Sequence, residues 1–151
     1  MGIWSWLKRL GIGETSLALQ TNRLSPAQHQ PVWLDGGEDF KLPVVGNFHY
    51  QRAFEKICGP RTEKGENRVV AAVLILDNTN RYDNNAVRVE VEGKTVGYLS
   101  RSDASAFRTR LQNERVIAQN FTCKANIRGG WIRENKEPSM FDIYLDVHLY
   151  D

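Results

Sequence analysis

The side chains of this chain that are best suited to recognising a ligand lie between Asp77 and Arg101. Tyr82 stands directly before Asp83 within a run rich in Asp and Asn, DNTNRYDNN, at 77–85. Such side chains hydrogen-bond their own backbone in turns, so the run favours a loop. An aromatic ring can stack on a flat ligand, and a carboxylate can accept a hydrogen bond from it. The segment therefore predicts a binding loop displayed between more rigid elements.

Strands are predicted on both sides of this loop. Residues 69–76, VVAAVLIL, are consecutively apolar, and their length and valine content favour a strand that is buried on both faces. Residues 86–91 and 94–99 are predicted to form a hairpin around Glu92-Gly93. The loop would then be held between a core strand and a hairpin.

A helix is predicted directly after the hairpin, at 102–111, where a Ser-Asp pair provides the start signal. Helical spacing places Phe107 and Leu111 toward the core. The same spacing is interpreted as turning Arg108 and Arg110 toward water.

The remaining elements are one further helix and three strands. Residues 50–58 have helical spacing with an apolar face, which is formed by Phe54, Ile57 and Cys58. Residues 41–46 are predicted as the first strand, and residues 121–127 and 141–149 alternate apolar and polar side chains as strands do. Five or six short strands with two or three short helices predict a mainly β fold, an OB-like small β-barrel. The chain lacks the regular strand and helix alternation of a doubly wound fold.

The segments NRYDNNAVRV at 80–89 and GYLSR at 97–101 resemble the HIRAN domain. The pattern of that family is roughly Asn-x-Tyr-Asp-x-Asn-Ala-Val, a strand, and then Gly-Tyr-Leu. HIRAN domains occur in SWI/SNF-type DNA-repair ATPases and as small stand-alone bacterial proteins. The resemblance covers residues 41–151, so residues 1–40 are interpreted as an N-terminal extension.

The resemblance implies an OB-like β-barrel that binds the 3′-hydroxyl end of single-stranded DNA. The resemblance assigns three residues to the loop that binds the strand end, namely Asn80, Tyr82 and Asp83. It places Tyr98 and Arg101 along the same groove. Looser matches add three candidates to that groove, which are His49, Tyr50 and Phe141.

Each candidate has a chemical role in such a site. The carboxylate of Asp83 would accept a hydrogen bond from the terminal hydroxyl and would repel a phosphate in its place. Tyr82 and Tyr98 would stack on bases, and Arg101 would neutralise a phosphate. A structural alternative remains open, in which the Asn and Asp side chains only close the loop and Tyr82 packs over the hairpin.

Charge and composition are compatible with a nucleic-acid partner. The formal net charge is only +2, but residues 41–136 contain 17 Lys and Arg against 10 Asp and Glu. A basic body suits a phosphate backbone. Two cysteines, Cys58 and Cys123, are too few for a disulfide framework and predict buried free thiols in a reducing cytoplasm.

Catalysis, a metal and a cofactor are not predicted. The Cys and His residues do not show the close paired spacing of a zinc site. No nucleophile elbow, phosphate-binding glycine loop or His-Glu-x-x-His pair is present in the sequence. The chain is therefore predicted not to be an enzyme.

The N-terminus offers an alternative function. Residues 1–13 place Ile3, Leu7 and Leu10 at helical spacing beside two tryptophans, which predicts a short amphipathic helix that is too short to cross a bilayer. This helix could cap an edge of its own domain. It could instead contact a protein partner or a membrane surface, and the chain would then be an adaptor with a structural barrel. Residues 14–40 are interpreted as a linker that can lend a strand or an arm to the domain.

Overall fold

The computed structural model describes residues 32–150 together with the backbone of Leu7–Arg9. Within this part of the chain there are eight strands, which are β1 (Leu7–Arg9), β2 (Val32–Leu34), β3 (Leu42–Pro43), β4 (Glu66–Leu76), β5 (Val87–Val91), β6 (Lys94–Tyr98), β7 (Asn120–Gly129) and β8 (Phe141–Leu145). Two α-helices accompany them, α1 (Gln51–Cys58) and α2 (Arg101–Asn113), and a 3-10 turn (Asn47–Tyr50) precedes α1. The mainly β prediction is confirmed.

The sheet curls until its two ends meet. β7 pairs with β4 on one side and with β8 on the other, and β4, β5 and β6 follow in antiparallel order. β3 pairs with β8, and the chain just beyond β3 reaches β6 through Val45, whose N–H and C=O both bond Tyr98, at 2.8 and 2.9 Å. Six strands therefore form the wall of a small barrel, as the OB-like prediction requires.

Gly97 makes this closure possible. A Cβ atom at Gly97 would lie 2.5 Å from Val44 Cγ1 and 2.6 Å from the carbonyl oxygen of Val45. Any side chain at this position would push β6 away from the segment that closes the barrel. Close packing against Val44 and Val45 thus explains why the Gly-Tyr-Leu motif has a glycine at this position.

The two helices cover different ends of strand β7. Phe54 of α1 stacks on Phe141 of β8, with ring centroids 5.7 Å apart, beside the last residues of β7. Phe107 of α2 meets Phe121, near the start of β7, edge to face at 5.2 Å. All four rings are fully buried, so they anchor the helices through apolar burial. Helix α2 thereby lies beside the loop that precedes β5, and it contacts that loop through Arg108.

Strand β4 corrects one prediction. It begins at Glu66. Within its apolar run Val69 is 56% exposed, whereas Ala72 and Leu74 are fully buried and Val73 between them is half-buried. The continuous apolar run was interpreted as a strand with two buried faces, and this was wrong. In a small barrel one face of each strand lies in the core and the other lies outside.

The predicted hairpin is confirmed. Glu92 and Gly93 both have positive φ angles, of 52° and 74°, as a two-residue hairpin turn requires. The second helix begins one residue earlier than predicted, at Arg101. The hydroxyl of Ser100 caps it by accepting the backbone N–H of Asp103 at 3.1 Å.

The N-terminal segment also departs from its prediction. Leu7–Arg9 is an extended strand that pairs antiparallel with β2, so a helix through these residues is wrong. β2 in turn pairs in parallel with β7, which confirms that the linker lends a strand to the domain. The rest of the predicted helix over 1–13, including its tryptophans, lies outside the described residues. In the described part of the chain, the helices are too short and too polar to span a membrane.

Candidate functional site

The loop between β4 and β5 is built by its own polar side chains. Asn80 Oδ1 accepts hydrogen bonds from the backbone N–H groups of Tyr82 at 2.9 Å and Asp83 at 3.1 Å. Asp83 Oδ1 accepts the N–H of Asn85 at 2.9 Å, and the carbonyl of Asp83 accepts the N–H of Ala86 at 3.1 Å. These are the side-chain turns that the sequence predicted. Asn80 thus shapes the loop through its amide oxygen.

Tyr82 and Asp83 still have ligand-binding capacity after the loop has closed. The Tyr82 side chain is 80% exposed, so the alternative in which it packs over the hairpin is wrong. Asp83 is half-buried, and within residues 32–150 no group donates a hydrogen bond to its second carboxylate oxygen, Oδ2. A free aromatic face and a free acceptor are therefore adjacent on one loop.

Helix α2 holds this loop from one side through two arginines. Arg101, which is exposed, donates from Nη2 to the carbonyl of Tyr82 at 3.2 Å. Arg108 donates from Nε to the carbonyl of Asn85 at 2.7 Å, from Nη1 to Asn78 Oδ1 at 2.8 Å and from Nη2 to the carbonyl of Ala86 at 2.9 Å. The prediction that Arg108 faces water is therefore wrong.

Arg110 corrects the same prediction. It is half-buried and donates from Nη1 to the carbonyls of His148 at 3.1 Å and Leu149 at 3.4 Å, and it pairs with Glu114. Arg110 therefore ties α2 to the C-terminal segment, whereas Arg108 ties the same helix to the loop. Neither arginine is an unbound surface charge.

A second aromatic group lies where the barrel closes. Tyr98, the last residue of β6, is half-buried, and its ring centroid lies 6.5 Å from that of Tyr50. Burial raises the pKa of the Tyr98 hydroxyl, and the neighbouring Tyr50 hydroxyl adds to the effect. The Tyr98 hydroxyl therefore stays neutral at physiological pH. The 3-10 turn adds exposed Phe48 and His49, whose rings lie 3.8 Å apart.

Arg88 is occupied by carboxylates. On β5 it lies opposite Tyr98 and binds Glu90 at 3.0 Å and Asp77 at 3.4 Å. Burial lowers the pKa of Arg88, but the hydrogen bond that Arg88 donates to Glu90 and the negative charges of Glu90 and Asp77 outweigh this and raise it. The positive charge of Arg88 is thereby compensated by two carboxylates, whereas exposed Arg101 bonds the carbonyl of Tyr82.

Phe141 is not part of this surface. Its side chain has no exposed area, because it lies at an inward position of β8 between Phe54 and the guanidinium of Arg61, which is 5.0 Å from the ring centroid. A buried ring cannot stack on a base. The prediction of Phe141 as a groove aromatic was therefore wrong. Of the eight predicted site residues, the other seven have side chains that are exposed or half-buried, at Asn80, Tyr82, Asp83, Tyr98, Arg101, His49 and Tyr50.

Arg108 is the residue that the sequence interpretation missed, although a signal was present. Ala104, Phe107, Arg108 and Leu111 follow the i, i+3, i+4, i+7 spacing of one helix face. The other three are buried in the core. An arginine on that stripe must bring its charge into a partly buried place, where it needs acceptors. The loop carbonyls supply them.

Among the described residues, the surface that carries Tyr82 and Tyr98 is not enclosed in a cavity. One cavity of about 230 Å³ lies behind the loop and is lined by residues that include Arg108 and Ile117, and another of about 490 Å³ lies beside β2, lined by residues that include Trp33 and Asp146. Neither contains Tyr82 or Tyr98. In residues 32–150, no three His, Cys, Asp and Glu side chains are placed to hold a metal ion. The exposed ring of Tyr82 therefore lies on open surface, outside both of these cavities.

Comparison with protein families gives a match between the HIRAN domain model and residues 38–148, which is most of the chain. Searches of curated proteins and of solved structures gave no match. The HIRAN domain is known generally as a DNA-binding module and is generally not itself catalytic. The matched range contains the loop, the closing segment, both helices and all of the candidate residues. The chain belongs to the HIRAN domain family.

Proposed function

We propose that this protein is a non-catalytic module that binds single-stranded DNA at its free 3′-hydroxyl end. One observation carries the proposal: Tyr82, which is 80% exposed, is followed directly by Asp83, whose second carboxylate oxygen accepts no hydrogen bond from residues 32–150. The Tyr82 ring lies in open solvent beside this acceptor, so a base can reach its face. Base stacking would cover it without requiring a particular sequence.

Asp83 gives the proposed site its preference for a strand end. A terminal hydroxyl donates a hydrogen bond to Oδ2 while Oδ1 keeps its bond to Asn85. A phosphate placed there would bring a second negative charge to within about 4 Å, which costs about 1 kcal/mol in bulk water and about 4 kcal/mol near a protein surface. The repulsion disfavours both a 3′-phosphate and a strand that continues past this point.

The rest of the strand is held by stacking and by charge. Tyr98 and Tyr50 form the second aromatic group, and Phe48 extends it with a ring that is 58% exposed. Arg101 uses one of its donors on the carbonyl of Tyr82, and its other N–H groups can bind a phosphate oxygen. Each neutralised phosphate releases counterions, so the affinity must fall as salt rises.

The test is fluorescence anisotropy with short labelled oligonucleotides that end in either a 3′-hydroxyl or a 3′-phosphate. We expect the wild-type protein to bind the hydroxyl end at least fivefold more tightly, the ratio for about 1 kcal/mol. The isosteric variant Asp83→Asn keeps the acceptor for Asn85 but removes the charge. We expect its preference to fall toward one. Equal wild-type affinity for the two ends would refute end recognition.

A further inference from the structure

Arg108 connects helix α2 to both ends of the binding loop. One contact, to Asn78, lies near the start of the loop, and the contacts to Asn85 and Ala86 lie at its end. All three distances fall between 2.7 and 2.9 Å, the range of charge-assisted hydrogen bonds. A single planar guanidinium therefore holds together two stretches of chain that are seven residues apart.

The two residues that Arg108 holds at the end of the loop are also the ones that orient Asp83. The N–H of Asn85 donates to Asp83 Oδ1, while its carbonyl accepts from Arg108. The N–H of Ala86 donates to the carbonyl of Asp83, while its own carbonyl accepts from Arg108. Fixing these two peptide units fixes which carboxylate oxygen is used within the loop and which one is left for a ligand.

The electrostatic surroundings of Arg108 agree with this arrangement. Burial lowers the pKa of its guanidinium, and the negative charges of Asp83 and Asp77 oppose that effect. The guanidinium thus lies close enough to both carboxylates to attract them, while its hydrogen bonds go to two backbone carbonyls and to the side-chain amide of Asn78. Arg108 is half-buried and lies on the same face of α2 as the buried residues Phe107 and Leu111.

We propose that Arg108 is a positioning residue for end recognition, which holds the peptide units of Asn85 and Ala86 so that Asp83 presents Oδ2 to the terminal hydroxyl. This inference rests on the function proposed above and adds to it a residue that does not touch the ligand. Lysine cannot replace Arg108 here, because one ammonium group cannot reach three acceptors that a guanidinium meets with three separate nitrogens. The charge and the geometry can therefore be separated by substitution.

The experiment compares Arg108→Lys with the wild-type protein and with Arg110→Gln. The Arg110→Gln variant removes a charge from the same helix but acts on contacts to His148 and Leu149, away from the loop. Amide hydrogen exchange is measured at Tyr82, Asp83, Asn85 and Ala86 without any ligand. Anisotropy then gives the affinity ratio between the 3′-hydroxyl and 3′-phosphate oligonucleotides and its dependence on salt.

For Arg108→Lys we expect exchange at the loop amides to rise by about tenfold or more, since hydrogen bonds to a charged group are lost. We expect exchange in the barrel strands to stay at wild-type rates and the hydroxyl preference to fall by at least half. The salt dependence should be unchanged, because lysine keeps the charge and Arg108 contacts no phosphate. Arg110→Gln should keep both the loop exchange and the preference of the wild-type protein.

Several results would overturn the inference. The inference would be wrong if Arg108→Lys kept the wild-type preference for the 3′-hydroxyl over the 3′-phosphate, whether or not loop exchange rose. The loop would then not need Arg108 for recognition. A uniform rise of exchange throughout β7 would mean that Arg108 stabilises the whole fold. A wild-type protein without any preference would instead refute end recognition itself, and the role of Arg108 in it would fall with it. If loop exchange in Arg108→Lys stayed at the wild-type rate, the contacts of Arg108 would not be what orders the loop.

Discussion

Replacing Tyr82 with alanine should separate an effect on binding from an effect on folding. The Tyr82 side chain is 80% exposed, and only its backbone takes part in the hydrogen bonds of the loop. An exposed side chain without packing partners contributes within about 0.5 kcal/mol to stability. Tyr82→Ala should therefore unfold at nearly the same temperature as the wild-type protein.

Binding should respond very differently. Stacking of one base on an aromatic side chain is worth about 1 to 3 kcal/mol by alanine substitution. At 1.4 kcal/mol per factor of ten, the loss of Tyr82 should weaken single-stranded DNA binding by about 5- to 150-fold. The preference for a 3′-hydroxyl over a 3′-phosphate should survive in part, because Asp83 and its loop contacts are unchanged.

The assay is an anisotropy titration at fixed salt, combined with thermal unfolding of the same samples. Tyr82→Phe is the matched control, because it keeps the ring and removes only the hydroxyl; it should bind within a few-fold of the wild-type protein. Alanine and phenylalanine variants of equal affinity would refute stacking on Tyr82. A large drop in the unfolding temperature of Tyr82→Ala would contradict the exposed position of the ring.

Two further predictions concern the phosphates and the closure of the barrel. Arg101→Gln should reduce the steepness of log affinity against log salt by about 0.7, the value for one phosphate of a single strand. An unchanged slope would mean that Arg101 bonds only the carbonyl of Tyr82. Gly97→Ala should destabilise the fold by about 1 to 3 kcal/mol, because the added Cβ would lie 2.5 Å from Val44 Cγ1. Thermal unfolding measures this change. A variant as stable as the wild-type protein would show that β6 can move aside.

Much of the fold and of the binding loop could be predicted because local rules determine them. The Asp-Asn run could be assigned to a loop since such side chains bond their own backbone, and the contacts of Asn80 and Asp83 do this. The turn at Glu92-Gly93 follows from the positive φ angles that a hairpin demands. In each case the residues that decide the structure are neighbours in sequence.

The errors concern features that depend on partners far away in the chain. Whether Phe141 faces a groove or the core depends on which face of β8 meets Phe54, which precedes it by 87 residues. Whether Leu7–Arg9 is helical depends on its pairing with β2. Arg108 was a different kind of error, since its position on the apolar stripe was visible in the helical spacing. There the charge of the side chain was given more weight than its place on the helix.

The structural and the binding interpretation of the loop are compatible, because a carboxylate has two oxygens. One oxygen of Asp83 closes the loop with Asn85, and the other has no donor among the described residues. The same division holds for Arg101, which gives one N–H to the loop and has others for a ligand. A group that is already fixed by one bond loses little further conformational entropy when it makes a second. The bonds that shape this loop are therefore expected to favour the proposed binding of a strand end as well.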